Sequence, residues 1–415
     1  MTQKTMPLPF NPRSAEFRAN PYPTYHYLRT HHPIYYRPEH QDWLLTRYTD
    51  IFAVLKNPNF GRSELGLTKP EMVAINQQPI KHLLSMRHES QKLMKLWLLM
   101  RNPPEHTRLR NLFSEHFSSK RIQTLRAYIQ TKADNLIEVV KESGKMDIIN
   151  DLTYPLTIDV NCNKILGISP QAWHPCFKQW SEELLLMADL EPTPISTERG
   201  LLAIAGLSEY FRNWIAKCRN APELQDNFIS TLIRAETEGQ LSEEELISHC
   251  ILLFFAGHAT SKHLIGTSIL TLLNHPEQLQ LLQAEPTLLE MAIAEVLRYD
   301  SPVQGVSRTA LFDVQLSNQT IRKGDIVHCL IAAGNRDPAQ FPEPDKFDIK
   351  RQPNIHLSFG KGIHVCVGRH LAKLVAEIAV STLVRRFPEL SLATNSLEWE
   401  DSFLGHGLKS LPVTF

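Results

Sequence analysis

The longest hydrophobic pattern in the chain runs from Ser242 to Pro276. It opens with Ser242-Glu243-Glu244-Glu245, a serine followed three residues later by a glutamate, which is the pattern of a capping box. Its middle, Leu252-Leu253-Phe254-Phe255, leaves no polar face, so this helix is expected to cross the interior. A second helix follows Gly368, where Leu371, Leu374, Val375, Ile378 and Val380 recur at helical spacing up to Arg385-Arg386 and Pro388. Tyr22 to His32 reads as a short helix, and Thr49 as the cap of another that stops at Asn57-Pro58. From Asn59 to Asn102 the pattern is irregular and predicts long loops with short helical pieces. Helices dominate from Pro103 to about Tyr299, broken at Gly144, at Ser169-Pro170 and at Glu191 to Pro194. Thr287-Leu288-Leu289-Glu290 reads as a second capping box, opening the helix that ends near Tyr299.

Strand patterns are shorter. Ile34 to Tyr36 and Trp43 to Thr46, split by Pro38-Glu39-His40-Gln41, predict a hairpin. Ser307 to Leu311, Val314 to Leu316 and Asp325 to Ile331 follow, with Lys323-Gly324 as a turn. No repeat and no composition shift marks a linker. The expectation is a mainly α fold with a smaller β region, α+β, in a single large domain over residues 1–415. Its sheet draws on both ends of the chain, and residues 1–18 form an N-terminal arm.

Charge and cysteine usage narrow the function. Lys+Arg and Asp+Glu both number 44, so there is no bulk electrostatic case for nucleic acid. The six cysteines, at 162, 176, 218, 250, 329 and 366, show no CxxC pair; a disulfide framework or thiolate zinc site is not expected, and a cytoplasmic setting fits. No stretch approaches the roughly 20 apolar residues of a membrane span, and Met1 to Arg18 lacks the build of a signal peptide, so no membrane anchor is expected.

The chemistry concentrates at Cys366, in Phe359-Gly360-Lys361-Gly362-Ile363-His364-Val365-Cys366-Val367-Gly368. Tight turns at Gly360 and Gly362 followed at once by a helix put this sulfur at a helix N-terminus, where backbone N–H groups and the macrodipole favour a thiolate. The plain alternative is a buried free cysteine beside a glycine turn. A zinc reading of His364 with Cys366 needs two more ligands, and none stands out. The decapeptide resembles the cytochrome P-450 superfamily, whose FGxGxHxCxG haem loop it matches at every fixed position. The resemblance implies haem b (iron protoporphyrin IX) with Cys366 as axial iron ligand, Phe359 against the porphyrin, Gly360 in the turn and Gly368 leaving room beside it. It also implies the P-450 fold, with the long helix on the distal side and the cysteine loop on the proximal side.

Other motifs fall into place under that resemblance. Pro103-Pro104-Glu105-His106-Thr107-Arg108-Leu109-Arg110 starts a helix and puts His106 and Arg110 on one face. The octapeptide resembles the bacterial members' PPEHTRLR, which implies that His106 and Arg110 hold a haem propionate, with Arg308 and His364 at the matching positions for the rest. Glu295 and Arg298 share a helix face; with Arg351 they resemble the family's structural network behind the haem loop. Ala256-Gly257 in the long helix permits close approach of a flat ligand and could open the helix for dioxygen, and Thr260, one turn on, could donate its hydroxyl there.

One position departs from the family. The usual AGx(E/D)T has an acid before the threonine, and this chain has Ala259. By helical geometry His258 faces away from Ala256, whereas His263 falls near its direction and is the better substitute proton donor; a water chain or a substrate hydroxyl would also serve.

The resulting expectation is a bacterial-type haem-thiolate monooxygenase. It inserts one oxygen atom of O2 into an apolar or amphipathic small molecule, and a separate ferredoxin or flavodoxin with its reductase supplies electrons, since the chain has no room for a fused reductase. Contacts to substrate are expected from residues 59–102 and 184–203, from Leu252, Leu253, Val303 and Val306, and from Phe403 and Leu404. Lys361, Arg369, Lys373 and Arg108 are candidates for docking the electron donor. A monomer is expected, with no nucleic acid or membrane partner. A peroxide-driven relative, a haem-based sensor without turnover and a cofactor-free helical protein are the alternatives.

Overall fold

The Ser242 capping box forms in the computed structural model, which describes residues 10–62, 80–223, 225–394 and 396–415. The Ser242 hydroxyl accepts from the Glu245 N–H and the Glu245 carboxylate from the Ser242 N–H, and the helix runs unbroken from Glu243 to Leu273. Residues on all sides of it are buried, as its pattern required. Helices Phe177–Met187, Pro194–Arg219, Leu289–Tyr299 and Arg369–Arg386 pack around it and share one hydrophobic core.

Strands β1 (Ile34–Arg37), β2 (Asp42–Leu45), β3 (Phe60–Gly61), β4 (Val306–Ala310) and β5 (Ile326–Cys329) form one sheet in the order β1-β2-β5-β4-β3. β1 and β2 are the expected antiparallel hairpin, and β2 then pairs in parallel with β5, Leu44 opposite His328. The sheet is therefore built from both ends of the chain, with its own smaller core around Ile51, Val327 and Phe341.

Several expectations need correction. Thr49 is not a cap: the helix is Tyr48–Lys56, and its first N–H is met by the Asp337 carboxylate, 289 residues away. Residues 80–96 form one long helix, Ile80–Leu96, where short pieces were expected. Thr287 to Glu290 makes no capping box, because Pro286 starts a 3₁₀ turn, Pro286–Leu288, and the helix begins at Leu289 without a side-chain cap. The short strands Lys145–Asp147, Gln319–Ile321 and Pro412–Thr414 were not foreseen.

Candidate functional site

The cysteine loop is closed on itself by backbone hydrogen bonds. Gly360 N–H donates to Leu357 O at 2.7 Å and Cys366 N–H to Phe359 O at 2.8 Å. Gly360 (φ +69°) and Gly362 (φ +71°) occupy the left-handed region, and a Cβ at Gly362 would also press into the Leu55 carbonyl. The helix Arg369–Arg386 starts with Gly368 as its cap, two residues after Cys366. A Cβ at Gly368 would meet no protein atom, so the space beside it is open.

A lowered thiol pKa was expected from the sequence. Burial pushes the Cys366 thiol up instead, outweighing the Gly368 and Arg369 N–H groups and the charges of Arg110 and Arg369. The residue nevertheless keeps accessible surface, so the loop leaves space beside the cysteine. A cation coordinated there would supply the driving force for deprotonation that the protein alone lacks.

Cations without anions surround that space. His106 (2% exposed) and Arg308 (4%) are buried, and the His106 and His364 rings lie 4.4 Å apart. Arg110 is fixed beside the cysteine by Nη1 donating to Val365 O at 2.8 Å, while Arg308 Nη1 donates to Ser307 O at 2.9 Å. Burial, then Arg308 and Arg62, hold His364 at about 2, and burial with Arg110 and Arg308 lowers His106, so both rings are neutral near pH 7. Their Nε2 atoms are buried without a partner.

Arg62 belongs to the same set, although no sequence motif pointed to it. Burial and Arg308 push it down to about 9, and its Nε has no partner. Its backbone is held by Asn102, whose Oδ1 accepts from Arg62 N–H at 2.9 Å and whose Nδ2 donates to Arg62 O at 2.6 Å. Arg62 follows a two-residue strand, so no local pattern announces it. Among the described residues Arg62, Arg110 and Arg308 form no ion pair. Orphaned buried donors and unneutralised guanidinium groups at one end of an interior space fit a ligand bearing carboxylates.

On the long helix Ala256 is accessible between buried Phe254 and His258. Thr260 Oγ1 donates to Ala256 O at 3.3 Å. The expected opening of the helix at Ala256-Gly257 is absent, and Gly257 has a different reason to be glycine. A Cβ there would strike the Asn161 side chain, whose Nδ2 donates to Leu253 O at 3.1 Å and Phe254 O at 3.3 Å. His258 does face away, its Nδ1 against Phe254 O at 2.8 Å. His263 is sealed against Gly405 and Gly407, its Nε2 3.8 Å from Glu400 Oε1, and burial holds it at about 4.

The three residues assigned to a supporting network meet. Glu295 and Arg298, both 0% exposed, pair at 2.7 and 2.8 Å, and Arg351 Nε reaches Glu295 Oε1 at 3.1 Å. Arg298 also donates to Asn335 O; the Asn335 side chain in turn accepts from Leu357 N–H and donates to Ser358 Oγ. This chain of contacts ends at the residue before Phe359, and so bears on the cysteine loop.

Other assignments divide. Leu252 and Leu253 are buried in the main core, Val303 bridges to Gly405, and Val306 is half-buried in β4 opposite Cys329. Phe403 is drawn away, its ring against Phe10 and Phe17, because Asp189 accepts from the Phe403 and Leu404 N–H groups and fixes the turn. Of the expected contact segments, residues 63–79 lie outside the described residues. Two docking candidates are already engaged, Lys373 with Glu290 at 2.7 Å and Arg108 with Glu245 at 2.5 Å, which leaves Lys361 and Arg369.

The family model for cytochrome P450 matches residues 74–404. The chain belongs to the cytochrome P450 family. It is 38% identical over 405 residues to the biotin biosynthesis cytochrome P450 of Bacillus subtilis, covering 97% of this chain and 98% of that protein. It is 34% identical to cytochrome P450 monooxygenase PikC of Streptomyces venezuelae, over 96% and 92% of the two chains. A solved structure of P450BioI in complex with hexadec-9Z-enoic acid ligated acyl carrier protein superposes with a TM-score of 0.87 at 36% identity, covering 96% of this chain and all of that one. This cytochrome P450 is accordingly an oxidoreductase of the monooxygenase type that carries haem b. Among its described residues no helix is long and apolar enough to cross a membrane.

Proposed function

We propose that Cys366 is the axial iron ligand and that this P450 hydroxylates a long-chain acyl substrate with electrons from a ferredoxin or flavodoxin. The carrying observation is the unpaired set His106, Arg110, Arg308 and His364, joined by Arg62, beside an accessible Cys366. In this reading the arginines neutralise the two propionates and the neutral histidines donate hydrogen bonds to them. Phe359 and the open side of Gly368 would receive the ring, and accessible Ala256 would lie toward the substrate. Haem with its thiolate ligand supplies the oxygen-activating chemistry.

The protein's own part is positional. Glu295, Arg298 and Arg351 hold the segment before the cysteine loop, and Thr260, whose hydroxyl rests on Ala256 O, can turn to pass a proton toward the reacting oxygen. The net reaction takes O2, two electrons, two protons and a C–H bond to an alcohol and water. Apolar, half-buried Val303 and Val306 suit a hydrocarbon chain. The acyl assignment draws on the relative named for biotin biosynthesis and on the solved complex of P450BioI with an acylated carrier protein. Lys361 and Arg369 offer the electron donor a basic patch near the cysteine, and the free cysteines among the described residues suit a reducing cytosol.

The test is spectroscopic first. Reduced protein treated with carbon monoxide should show the Soret band of a thiolate-ligated haem, and Cys366→His should retain haem but move that band to the position of a nitrogen ligand. A wild-type band at the nitrogen position refutes the ligand assignment. Palmitate and palmitoyl carrier protein should each shift the iron spin state; no shift with either refutes the substrate class.

A further inference from the structure

A cavity of about 370 Å³ lies beside the long helix, with Ala259 and Lys262 on one wall. Lys178, Ser181 and Glu182 come from the helix Phe177–Met187, and Glu400 from the C-terminal segment opposite. At about 30 Å³ per molecule it has room for on the order of ten waters, and its polar walls can hold them. Ala259 directly precedes Thr260, and the family's usual acid at that position would project among Lys178 and Lys262. Both lysines line the cavity here, and the carboxylates that face it come from other elements.

Those carboxylates are not equivalent. Glu400 is fixed by Lys262 Nζ at 2.7 Å, with His263 Nε2 at 3.8 Å; burial opposes its charge, but His263 and Lys262 outweigh that and hold it at about 2. It stays ionised and has no proton to give near neutral pH. Asp401 is likewise spoken for, by Lys409 at 2.7 Å and Arg18 at 3.0 Å. Glu182 has no hydrogen-bond or ion-pair partner among the described residues and is accessible at the cavity wall. Burial of its inner side, then Glu400, push it up against the pull of Lys178 and Lys262, with neighbouring Glu183 adding to the rise.

We propose that this cavity holds a water chain that carries protons from Glu182 past the methyl of Ala259 toward Thr260, replacing the acid that the family places before the threonine. Each proton moves from the Glu182 carboxylic acid to a cavity water, and the carboxylate takes another from bulk solvent, so Glu182 is unchanged over a turnover. Glu182 touches neither substrate nor haem and is a positioning residue for the proton path.

The inference rests on the haem-thiolate reading, and its test separates the two. In the haem-loaded enzyme, Ala259→Cys should react with a small methanethiosulfonate reagent at a rate comparable to the half-buried Cys176 and Cys218. Adding Glu182→Trp at the mouth should slow that reaction, by peptide mass spectrometry. With palmitate, Glu182→Gln should lower product per reductant on the order of tenfold, less than for a directly placed acid because water remains. It should also raise the solvent isotope effect. Glu182→Asp, and Ala259→Glu in the Glu182→Gln background, should restore both. No label at position 259 of the Ala259→Cys variant while Cys176 and Cys218 are labelled, or Glu182→Gln with wild-type coupling and isotope effect, overturns the proposal. A changed carbon monoxide spectrum in the unmutated enzyme would instead overturn the haem-thiolate reading.

Discussion

Removing the Glu295 carboxylate should be among the most damaging single changes in this protein. The carboxylate accepts from Arg298 Nε at 2.8 Å, Arg298 Nη2 at 2.7 Å, Arg351 Nε at 3.1 Å, Asp348 N–H at 3.1 Å and Asn354 Nδ2 at 3.0 Å. In Glu295→Ala, Arg298 keeps the carbonyls of Asn335, Pro344 and Lys346 and the faces of Tyr299 and Phe341, while its buried charge is left without a counter-ion. Breaking a buried pair from one side costs about 3–5 kcal/mol, roughly 10²- to 10⁴-fold in the folding constant. For 415 residues, at about 2.1 cal/mol/K of unfolding entropy per residue, that is a fall in Tm of about 3–6 °C. Urea unfolding of the haem-loaded protein, followed by tryptophan fluorescence and by the Soret band, measures it. The Soret change should come first, because Asn335 ties this network to Leu357 and Ser358. The double variant Glu295→Leu with Arg298→Met removes both charges and should be less destabilised than Glu295→Ala. A single variant within about 1 kcal/mol of wild type, or a double variant worse than the single, refutes the reasoning.

Two further outcomes are expected. Arg62→Gln and Arg308→Gln each remove a charged donor worth about 1.5–3 kcal/mol, so haem transfer to a scavenging apoprotein should quicken roughly 10- to 100-fold; unchanged rates in both would refute the propionate assignment. His258 is buried and held at about 4, so between its ordinary 6.5 and 4 the unfolded chain binds a proton that the folded protein does not. Stability from this group is complete above about 6.5 and falls as pH drops toward 4; a plot of Tm against pH should be flatter in that window for His258→Phe.

What the sequence made legible was local. The long helix could be read because Ser242 and Glu245 cap each other within one turn, and the helix after Gly368 because its apolar spacing is regular. Tyr48 could not be recognised as a helix start, since its cap is Asp337 from the other end of the chain. The cysteine loop, the His106 and Arg110 pair and the Glu295, Arg298 and Arg351 network rested on motifs short enough to see. Arg62 joins the cation set only through the clamp of Asn102, 40 residues on. Phe403 was misassigned because nothing in its neighbourhood reveals that Asp189 holds its backbone. Gly257 was understood as making room for a ligand, whereas Asn161 takes the space.

The parallel pairing of β2 with β5 also constrains how the molecule is made. Asp42 and His328, which bond across it at 2.9 Å, are 286 residues apart. A ribosome must therefore emit about four fifths of the polypeptide before the hairpin Ile34–Leu45 finds the strand that pairs with it. Until then its inner edge is an unpaired template for other nascent chains, and slow translation beyond the long helix should favour aggregation over yield.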